Sequence, residues 1–288
     1  MFFKANTDNS VDINYGRFIS ASVIGATHAD KGIMCQDAAS CATLYYKGNK
    51  IYFMAVADGH GGDAYTRSAI GSFLAIQAAS ESVNRFIMYV IDVYEKYPDN
   101  WIEMVKEDFS GRFGKMLVSN WIRMVESHAN ETKDNPDEII KLYGTTISIG
   151  LVINNYLFTG KIGDSSIFAY LNHNKMDFVK NLFENEDNNN NLGLGTSSLC
   201  SREAYLKWQI QILSLKDVKM LFMTTDGFTD SLKNPKEEIY NFYVYMIKRG
   251  VVNFEHVLND ELKQISDKGV GDDISLVILL PNLQGRMI

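Results

Sequence analysis

Cysteine is scarce in this sequence. Cys35, Cys41 and Cys200 are the only cysteines among 288 residues, and no two of them form a CxxC pair. Small secreted domains carry a dense framework of cysteines, and structural zinc sites need closely spaced cysteine and histidine ligands. The five histidines are isolated from one another and form no zinc pattern. We therefore expect a protein of a reducing compartment that has neither a disulfide framework nor a zinc site.

Long apolar runs are missing as well. No run approaches the roughly 18 consecutive apolar residues of a membrane-spanning helix. Residues 1–8 lack the basic start and the continuous apolar core of a signal peptide. These absences predict a soluble, cytoplasmic protein that has no membrane partner.

Basic residues are outnumbered by acidic ones. The chain has 28 Lys and Arg residues against 35 Asp and Glu residues, which gives a formal net charge of −7. Nucleic acids favour basic surfaces because their phosphates are negative, so we do not expect a nucleic-acid partner. Apolar residues make up 46% of the chain, enough for a sizeable core, and no repeat or linker divides it. Residues 1–288 are thus predicted to form a single domain.

What the chain does contain is a series of short acidic motifs, each at the end of an apolar run. One such motif is an ordinary turn, because Asp and Gly favour turns. Several in one chain indicate a site that collects carboxylates from distant strands, and hard cations such as Mg²⁺ and Mn²⁺ bind a few carboxylates together with water. The motifs are Gln36-Asp37, Asp58-Gly59-His60-Gly61-Gly62, Gly163-Asp164-Ser165, Asp226-Gly227 with Asp230, and Gly271-Asp272-Asp273. They predict metal-assisted chemistry on phosphate.

Apolar periodicity divides the chain into strands, a helical block, more strands, helices and a last strand, which is an α+β order. The predicted strands are residues 17–27, 38–47, 51–57, 204–213, 219–225 and 274–280, with a meander of residues 145–153, 156–162, 166–171 and 176–179. The predicted helices are residues 63–80, 82–96, 101–129, 235–248 and 253–266.

Two polar segments are predicted to be connections. Residues 130–138 contain Pro136 and join the helical block to the later strands. The Asn-rich residues 185–191 cannot bury apolar area, so we expect a mobile surface loop within residues 183–203.

The order of the acidic motifs, with Gly144-Thr145-Thr146 between the second and the third, closely resembles the type-2C metal-dependent protein serine/threonine phosphatases, the PPM family. The resemblance runs from about residue 19 to about residue 280 and is closest to a divergent bacterial-type branch. It implies a four-layer αββα sandwich, in which two antiparallel β-sheets are flanked by helix pairs. It also implies that phosphoserine and phosphothreonine in proteins are hydrolysed by water activated at a dinuclear Mg²⁺ or Mn²⁺ centre.

The resemblance assigns ligand roles to the acidic motifs. Asp58 matches the carboxylate that bridges two metal ions, and Gly59 matches the residue whose backbone carbonyl binds one of them. Asp226 and Asp272 match the other direct ligands of the first metal. Water held between two such cations is acidified and placed in line with the phosphorus, so no covalent phosphoenzyme is required.

Further carboxylates extend this set. Asp37 matches an acidic residue that holds metal-bound waters, and Asp164 matches a ligand that, with Asp226, forms a third and weaker metal site. The resemblance thus implies two or three divalent cations. Asp230 is interpreted as a helix-start residue or an outer carboxylate, and Asp273 replaces an asparagine that is common in the family.

His60 matches the histidine proposed as general acid for the leaving alkoxide. Imidazole suits that task because its ordinary pKa is about 6.5. The alternative is a histidine that only closes the turn after Asp58. His28 is a second histidine that we expect near the site, because it lies close to Asp37 in the sequence.

The chain departs from the family pattern at the position that binds phosphate in many members. Many members have an arginine four residues before the acidic pair, and this chain has Gly32 there. Lys31 and His28 are the candidates for phosphate binding. Lysine cannot make the two parallel hydrogen bonds to phosphate that arginine makes. Lys31 also fits the alternative of a solvated lysine in a turn. Gln36 replaces a metal-contacting glutamate, which predicts weaker binding of the second metal. Ser166 replaces a frequent arginine after Gly-Asp-Ser.

Three functions remain open. The first is a metal-dependent phosphatase whose substrate is a phosphoprotein and which opposes a serine/threonine kinase. The second is a regulatory or scaffold module that binds metal and a partner protein without turnover. The third is a metallohydrolase of small phosphate esters, although no Walker loop or GxGxxG motif supports a nucleotide substrate. The presence of Asp58, Asp226 and Asp272 together favours the first.

Overall fold

Ten β-strands form the frame of the molecule, in a computed structural model that describes residues 16–132, 139–173, 176–184 and 197–281. One sheet has the strand order β1-β10-β9-β6-β7 and the other β2-β3-β4-β5-β8, with antiparallel pairing throughout. The strands are β1 Arg17–Val23, β2 Ala38–Tyr46, β3 Asn49–Ala57, β4 Ile147–Ile153, β5 Tyr156–Ile162, β6 Ser166–His173, β7 Met176–Asn181, β8 Gln209–Ser214, β9 Val218–Thr224 and β10 Ile274–Leu280. The predicted pair of antiparallel sheets is confirmed.

Helices cover the outer face of each sheet. They are α1 Ala26–Lys31, α2 Ser68–Lys96, α3 Trp101–Asp108, α4 Gly114–Thr132, α5 Ile139–Leu142, α6 Asp226–Asp230, α7 Pro235–Arg249 and α8 Val251–Lys268. Helix α2 packs on β2 and β3 with α4 against it, while α8 packs on β1 and α7 on β7. The predicted αββα sandwich is therefore confirmed. Within the described residues, none of the helices combines the length and apolarity that crossing a bilayer requires.

Buried apolar clusters fill the spaces between the four layers. Strand β10 contributes to two of these clusters, because successive side chains of a strand point to opposite faces of the sheet. Leu276 and Ile278 belong to the cluster beneath α7 and α8. Val277 and Leu279 belong to the cluster between the two sheets. Both faces of this strand are covered, which explains why its sequence is continuously apolar.

The cluster beneath α2 and α4 includes a stripe of large side chains that recurs every four residues. An α-helix turns once in about 3.6 residues, so a strict repeat of four drifts around a straight helix. A π-helical turn at Phe109–Phe113 lies between α3 and α4 and takes up this drift. The stripe consists of Trp101, Val105, Phe109, Phe113, Leu117, Trp121 and Val125, all at most 5% exposed.

The first predicted strand is too long. Strand β1 ends at Val23, and the following residues form α1. A Cβ at Gly25 would collide with the backbone of Asp272, so the chain leaves the sheet at a point where only glycine fits. This contact joins residues that are far apart in sequence, which is why local apolar content did not predict it.

The predicted meander is also wrong. Strands β4 and β5 pair in one sheet, whereas β6 and β7 pair in the other. The chain crosses between the sheets after β5, where Gly163 has a φ of +122°, a conformation that side chains strongly disfavour. Helix α2 unites the predicted helices 63–80 and 82–96. Residues 133–138 and 185–196 of the predicted connections lie outside the described residues.

One edge of the sandwich collects the ends of several strands. In an antiparallel pair, the residue that follows one strand faces the residue that precedes its neighbour. The register of β2 with β3 places Asp37 beside Asp58. The registers of β9 with β10 and with β6 bring Asp226, Asp272 and Asp164 to the same edge.

Candidate metal centre

A cavity of about 200 Å³ opens at this edge of the sandwich. Its lining combines four carboxylates, two histidines, an amide side chain and glycine backbone, and the described residues contribute no lysine or arginine to it. The lining residues are His28, Gln36, Asp58, Gly59, His60, Gly61, Asp164, Asp226 and Asp272. The structure therefore brings most of the residues nominated from the sequence into one cavity.

The backbone of Asp58 is held by the Gly144-Thr145-Thr146 motif. The Asp58 N–H donates to Thr146 Oγ1 at 3.1 Å, and the Asp58 carbonyl accepts from the Thr146 N–H at 2.8 Å. The Thr145 hydroxyl donates to the same carbonyl at 2.7 Å. Both threonines are buried. These hydrogen bonds use only the backbone of Asp58, and its carboxyl lines the cavity, where it contacts Asp226.

Gly59 lies where three segments of the chain meet. A Cβ at this position would collide with the carbonyl oxygens of Gln36 and Ser68. Glycine therefore permits the close approach of the β2 entrance and the start of α2 to the cavity.

His60 is held from two sides. Its backbone N–H donates to the Gly144 carbonyl at 3.0 Å. Its ring lies edge-on to the ring of Tyr65, with the two centroids 5.0 Å apart. A Cβ at Gly144 would stand 2.9 Å from the ring of His60, so glycine is required there too. Burial lowers the pKa of His60, and the charge of Asp164 opposes that effect. The imidazole is thus oriented at the cavity wall.

Asp37 is fixed by a threonine that the sequence reasoning did not single out. Thr225 donates its hydroxyl hydrogen to Asp37 Oδ2 at 2.7 Å, and its oxygen accepts from the Ser275 N–H at 3.0 Å. Burial raises the pKa of the Asp37 carboxyl well above its usual range, while the Thr225 hydrogen bond opposes the increase. The signal for Thr225 was its place directly before Asp226 at the end of β9.

The central carboxyls also have raised pKa values. Burial raises the pKa of Asp58, and the charges of Asp37 and Asp226 raise it further. Burial likewise raises the pKa of Asp226, although a hydrogen bond with Asp58 opposes the effect. Like charges in a shared buried space favour protonation unless a cation compensates them. Divalent cations would take the place of these protons, so the carboxylate set fits such ions.

Asp273 stabilises the entrance of the cavity in a way that its sequence position did not indicate. It is 2% exposed, and its Oδ1 accepts from the Gly25 N–H at 2.7 Å while its Oδ2 accepts from the Gln36 N–H at 2.6 Å. His28 Nδ1 lies 2.9 Å from the same Oδ2. Each carboxylate oxygen of Asp273 therefore accepts a hydrogen bond from a backbone N–H. An asparagine has only one side-chain oxygen and could accept only one of the two.

Two other polar atoms strengthen the fit to a cation. Gln36 Oε1 and His28 Nδ1 are buried without a hydrogen-bond partner, and both residues line the cavity. Buried polar atoms without a partner are uncommon and destabilising. A bound cation would satisfy such lone pairs. The amide oxygen of Gln36 thus remains a possible donor where the family often has a glutamate.

A family model described as Protein phosphatase 2C matches residues 24–265. The chain belongs to the protein phosphatase 2C family. The matched region contains all the lining residues of the cavity except Asp272. No match was found among curated protein sequences.

Solved protein phosphatase 2C structures and related phosphatases share the fold. The serine-threonine phosphatase 2C from Toxoplasma gondii gives a TM-score of 0.62 at 11% identity, covering 94% of this chain and 96% of that one. The catalytic domain of PstP, solved with two manganese ions, gives 0.56 at 16% identity, covering 93% and 98%. Stp1 from Staphylococcus aureus gives 0.55 at 12% identity, covering 98% and 100%. At these identities the likeness establishes the fold alone.

The departures of this protein phosphatase 2C chain from the family pattern have local explanations. Gly32 ends α1 with a φ of +65°, a left-handed conformation that suits glycine and strains arginine. Lys31 is exposed at the last residue of α1 and is not among the cavity lining. Asp230 is the last residue of α6 instead of a helix start. Burial raises its pKa, and the charge of Asp164 adds to the increase.

We expect Asp273→Asn to destabilise this fold even though asparagine is common in the family. The amide nitrogen would face a backbone N–H and leave one buried donor unpaired, at a cost of about 1–3 kcal/mol. The measurement is urea denaturation in the presence of a chelator. Asp260→Asn, at an exposed position of α8, is the matched control. An unchanged midpoint for Asp273→Asn would contradict the structural role of both oxygens.

We also expect the stabilisation by Mn²⁺ to grow with pH. Carboxyls whose pKa is raised in the folded chain contribute stability at low pH and lose it as the pH rises through their folded-state pKa. Cations replace the protons, so Mn²⁺ should raise the thermal unfolding midpoint more at about pH 7.5 than at about pH 5.5. Thermal unfolding with Mn²⁺ or chelator at both values measures this difference. An equal or larger effect at the lower pH would contradict the argument.

Proposed function

We propose that this chain is a single catalytic domain that hydrolyses phosphoserine and phosphothreonine in proteins, opposing a serine/threonine kinase, with two or three Mg²⁺ or Mn²⁺ ions. The observation that carries the proposal is the convergence of Asp58, Asp226 and Asp272, which follow or precede three different strands, on one cavity. Membership of the protein phosphatase 2C family supports it. So does the shared fold with PstP, a serine/threonine protein phosphatase solved with two manganese ions.

The carboxylates divide the work of holding cations. Divalent cations bound here supply a nucleophilic water at neutral pH and offset the charge of the phosphoryl group. Asp58, the backbone carbonyl of Gly59, Asp226 and Asp272 would hold two cations. Asp164 would hold a third together with Asp226. The donor atoms of Asp58, Asp164 and Asp226 lie within 4.8 Å of one another, which supports a shared cation.

Asp37 and His60 have roles beside this set. The Asp37 carboxylate, oriented by Thr225, lies next to Asp58 and would accept hydrogen bonds from waters held by the cations. His60 gives a proton to the leaving alkoxide of serine or threonine. The contact of its ring with Tyr65, and the hydrogen bond from its backbone N–H to the Gly144 carbonyl, keep His60 at the wall of the cavity. Without such a proton the departing alkoxide would have to leave as a strong base.

The charge of the phosphoryl group has no lysine or arginine partner among the described lining residues. We propose that bound cations supply most of this compensation. Of the two residues predicted from the sequence to bind phosphate, His28 lines the cavity and Lys31 does not. Direct phosphate contact by either residue stays a prediction.

Exposed apolar side chains near the cavity favour a polypeptide substrate over a small ester. Ile33 and Met34, which are 37% and 71% exposed, directly precede the Cys35-Gln36 entrance to β2. Val270 is 55% exposed and precedes Gly271 and Asp272. A phosphate monoester of a small alcohol would leave these side chains in water, whereas residues that flank a phosphoserine would cover them.

A regulatory module that binds cations without turnover is the second candidate. The absence of lysine and arginine from the described lining favours it, because weak phosphate binding slows hydrolysis. Cation binding without phosphate release would identify this function.

We expect Asp226→Ala to abolish metal-dependent phosphate release from a phosphothreonine peptide. Loss of an outer partner of a ligand costs about 10–100-fold, so loss of the ligand itself should cost at least about 100-fold. Release is measured with Mn²⁺, with Mg²⁺ and with chelator, and Asp260→Ala serves as an exposed control. Equal activity of Asp226→Ala and the control would exclude the proposed centre. No release by the unaltered chain, with calorimetry showing bound Mn²⁺, would identify the regulatory module.

We expect His60→Gln to slow the hydrolysis of substrates with a poor leaving group more than that of substrates with a good one. General acid catalysis contributes about 10²–10⁴-fold when the leaving group needs a proton. Hydrolysis of the phosphothreonine peptide should therefore fall by about 100-fold or more, while p-nitrophenyl phosphate, whose phenolate leaves easily, should be affected far less. His256→Gln, exposed on α8, is the control. Equal losses on both substrates would exclude proton donation by His60.

A further inference from the structure

One group of donor atoms at the cavity offers nitrogen as well as oxygen. His28, Asp272 and Asp273 each place a donor atom within 4.8 Å of the other two, and His28 and Asp272 line the cavity. The other group of this kind in the described residues consists of carboxylates alone. The two groups therefore differ in the ligand atoms that they offer to a cation.

The contact between His28 and Asp273 has the geometry of neighbouring ligands. His28 Nδ1 lies 2.9 Å from Asp273 Oδ2, yet this buried nitrogen has no hydrogen-bond partner. The two atoms are thus at ion-pair distance, but they do not meet the geometry of a hydrogen bond. Adjacent ligands of an octahedral cation with bonds of about 2.1 Å are about 3 Å apart. The observed separation matches that spacing.

The backbone around this group is firmly held. Both oxygens of Asp273 accept hydrogen bonds from backbone N–H groups, those of Gly25 and Gln36. Ser266 of α8 accepts from the first N–H of α1 at 3.1 Å and donates to the Asp272 carbonyl at 2.9 Å. Helix α1, which carries the histidine, is thereby tied to the strand end that carries the two acids. Donor groups fixed in this way can bind a cation without rearrangement.

We propose that His28 provides Nδ1 as a metal ligand together with Asp272 and Asp273, and that this group of donors selects Mn²⁺ over Mg²⁺. Mg²⁺ takes oxygen ligands and keeps several waters, whereas an imidazole nitrogen suits transition-metal cations. This role replaces the direct phosphate contact that the sequence suggested for His28. The inference depends on the proposed function only in that cations occupy this cavity, and it concerns which cation is bound.

The test compares His28→Gln with His256→Gln, an exposed histidine of α8. Calorimetric titration of the full chain with Mn²⁺ and with Mg²⁺ measures the ratio of the two affinities. We expect His28→Gln to lower Mn²⁺ affinity by at least about tenfold, with a much smaller effect on Mg²⁺, and the control to change neither. Pulsed electron paramagnetic resonance should detect nitrogen coupled to bound Mn²⁺ in the unaltered chain and in His256→Gln, and lose it in His28→Gln.

The opposite results would overturn the proposal. An unchanged ratio of affinities, with no nitrogen coupled to Mn²⁺ in the unaltered chain, would reduce His28 to an ion-pair partner of Asp273 that anchors α1. If His28→Gln does not fold, nitrogen coupling to Mn²⁺ in His60→Gln labelled with ¹⁵N-histidine decides the question, because His28 is then the only histidine among the described lining residues. Neither readout requires phosphate release. A chain that shows the coupling but no hydrolysis would therefore support this inference and contradict the proposed function.

Discussion

Repulsion among buried carboxylates is the constraint on which the rest of the structure depends. Asp37, Asp58 and Asp226 have raised pKa values because burial and neighbouring charges disfavour their ionised forms. Such a cluster opposes folding when it is charged. The stability must come from elsewhere, and the apolar clusters on both faces of both sheets supply it. The fold thus holds together a set of carboxyls whose ionised forms bound cations would stabilise.

Neutral threonine hydroxyls hold several of these aspartates in position. Thr145 and Thr146 hold the backbone of Asp58, and Thr225 holds the side chain of Asp37. A hydroxyl can orient a carboxylate without neutralising it as a lysine or arginine would. Asp273 is the exception, since a fixed carboxylate itself joins the two segments on either side of α1. Among the described lining residues, no lysine or arginine offsets the negative charge of the cavity.

Residues that depart from the family pattern take part in local structure of their own. Gly32 ends α1 in the left-handed region, where an arginine would be strained. Ser166 stands where an arginine is frequent, and the nearby turn is instead held by Lys161, whose Nζ donates to the Ser165 carbonyl at 2.9 Å. Burial lowers the pKa of Lys161, against the opposing charge of Asp164. Neither position therefore brings an arginine to the cavity, and Lys161 is not among its described lining residues.

The sequence by itself determined the elements and the candidate ligands. Strand β10 was predicted at residues 274–280 because a strand covered on both faces must be apolar throughout, and each acidic motif was recognisable at the end of such a run. The tertiary structure alone decided that β5 and β6 lie in different sheets, that α1 follows Gly25, and that Asp273 reaches across to Gln36. These features depend on contacts between residues far apart in the chain. Local periodicity carries no information about such contacts, because it reports only how each segment is buried.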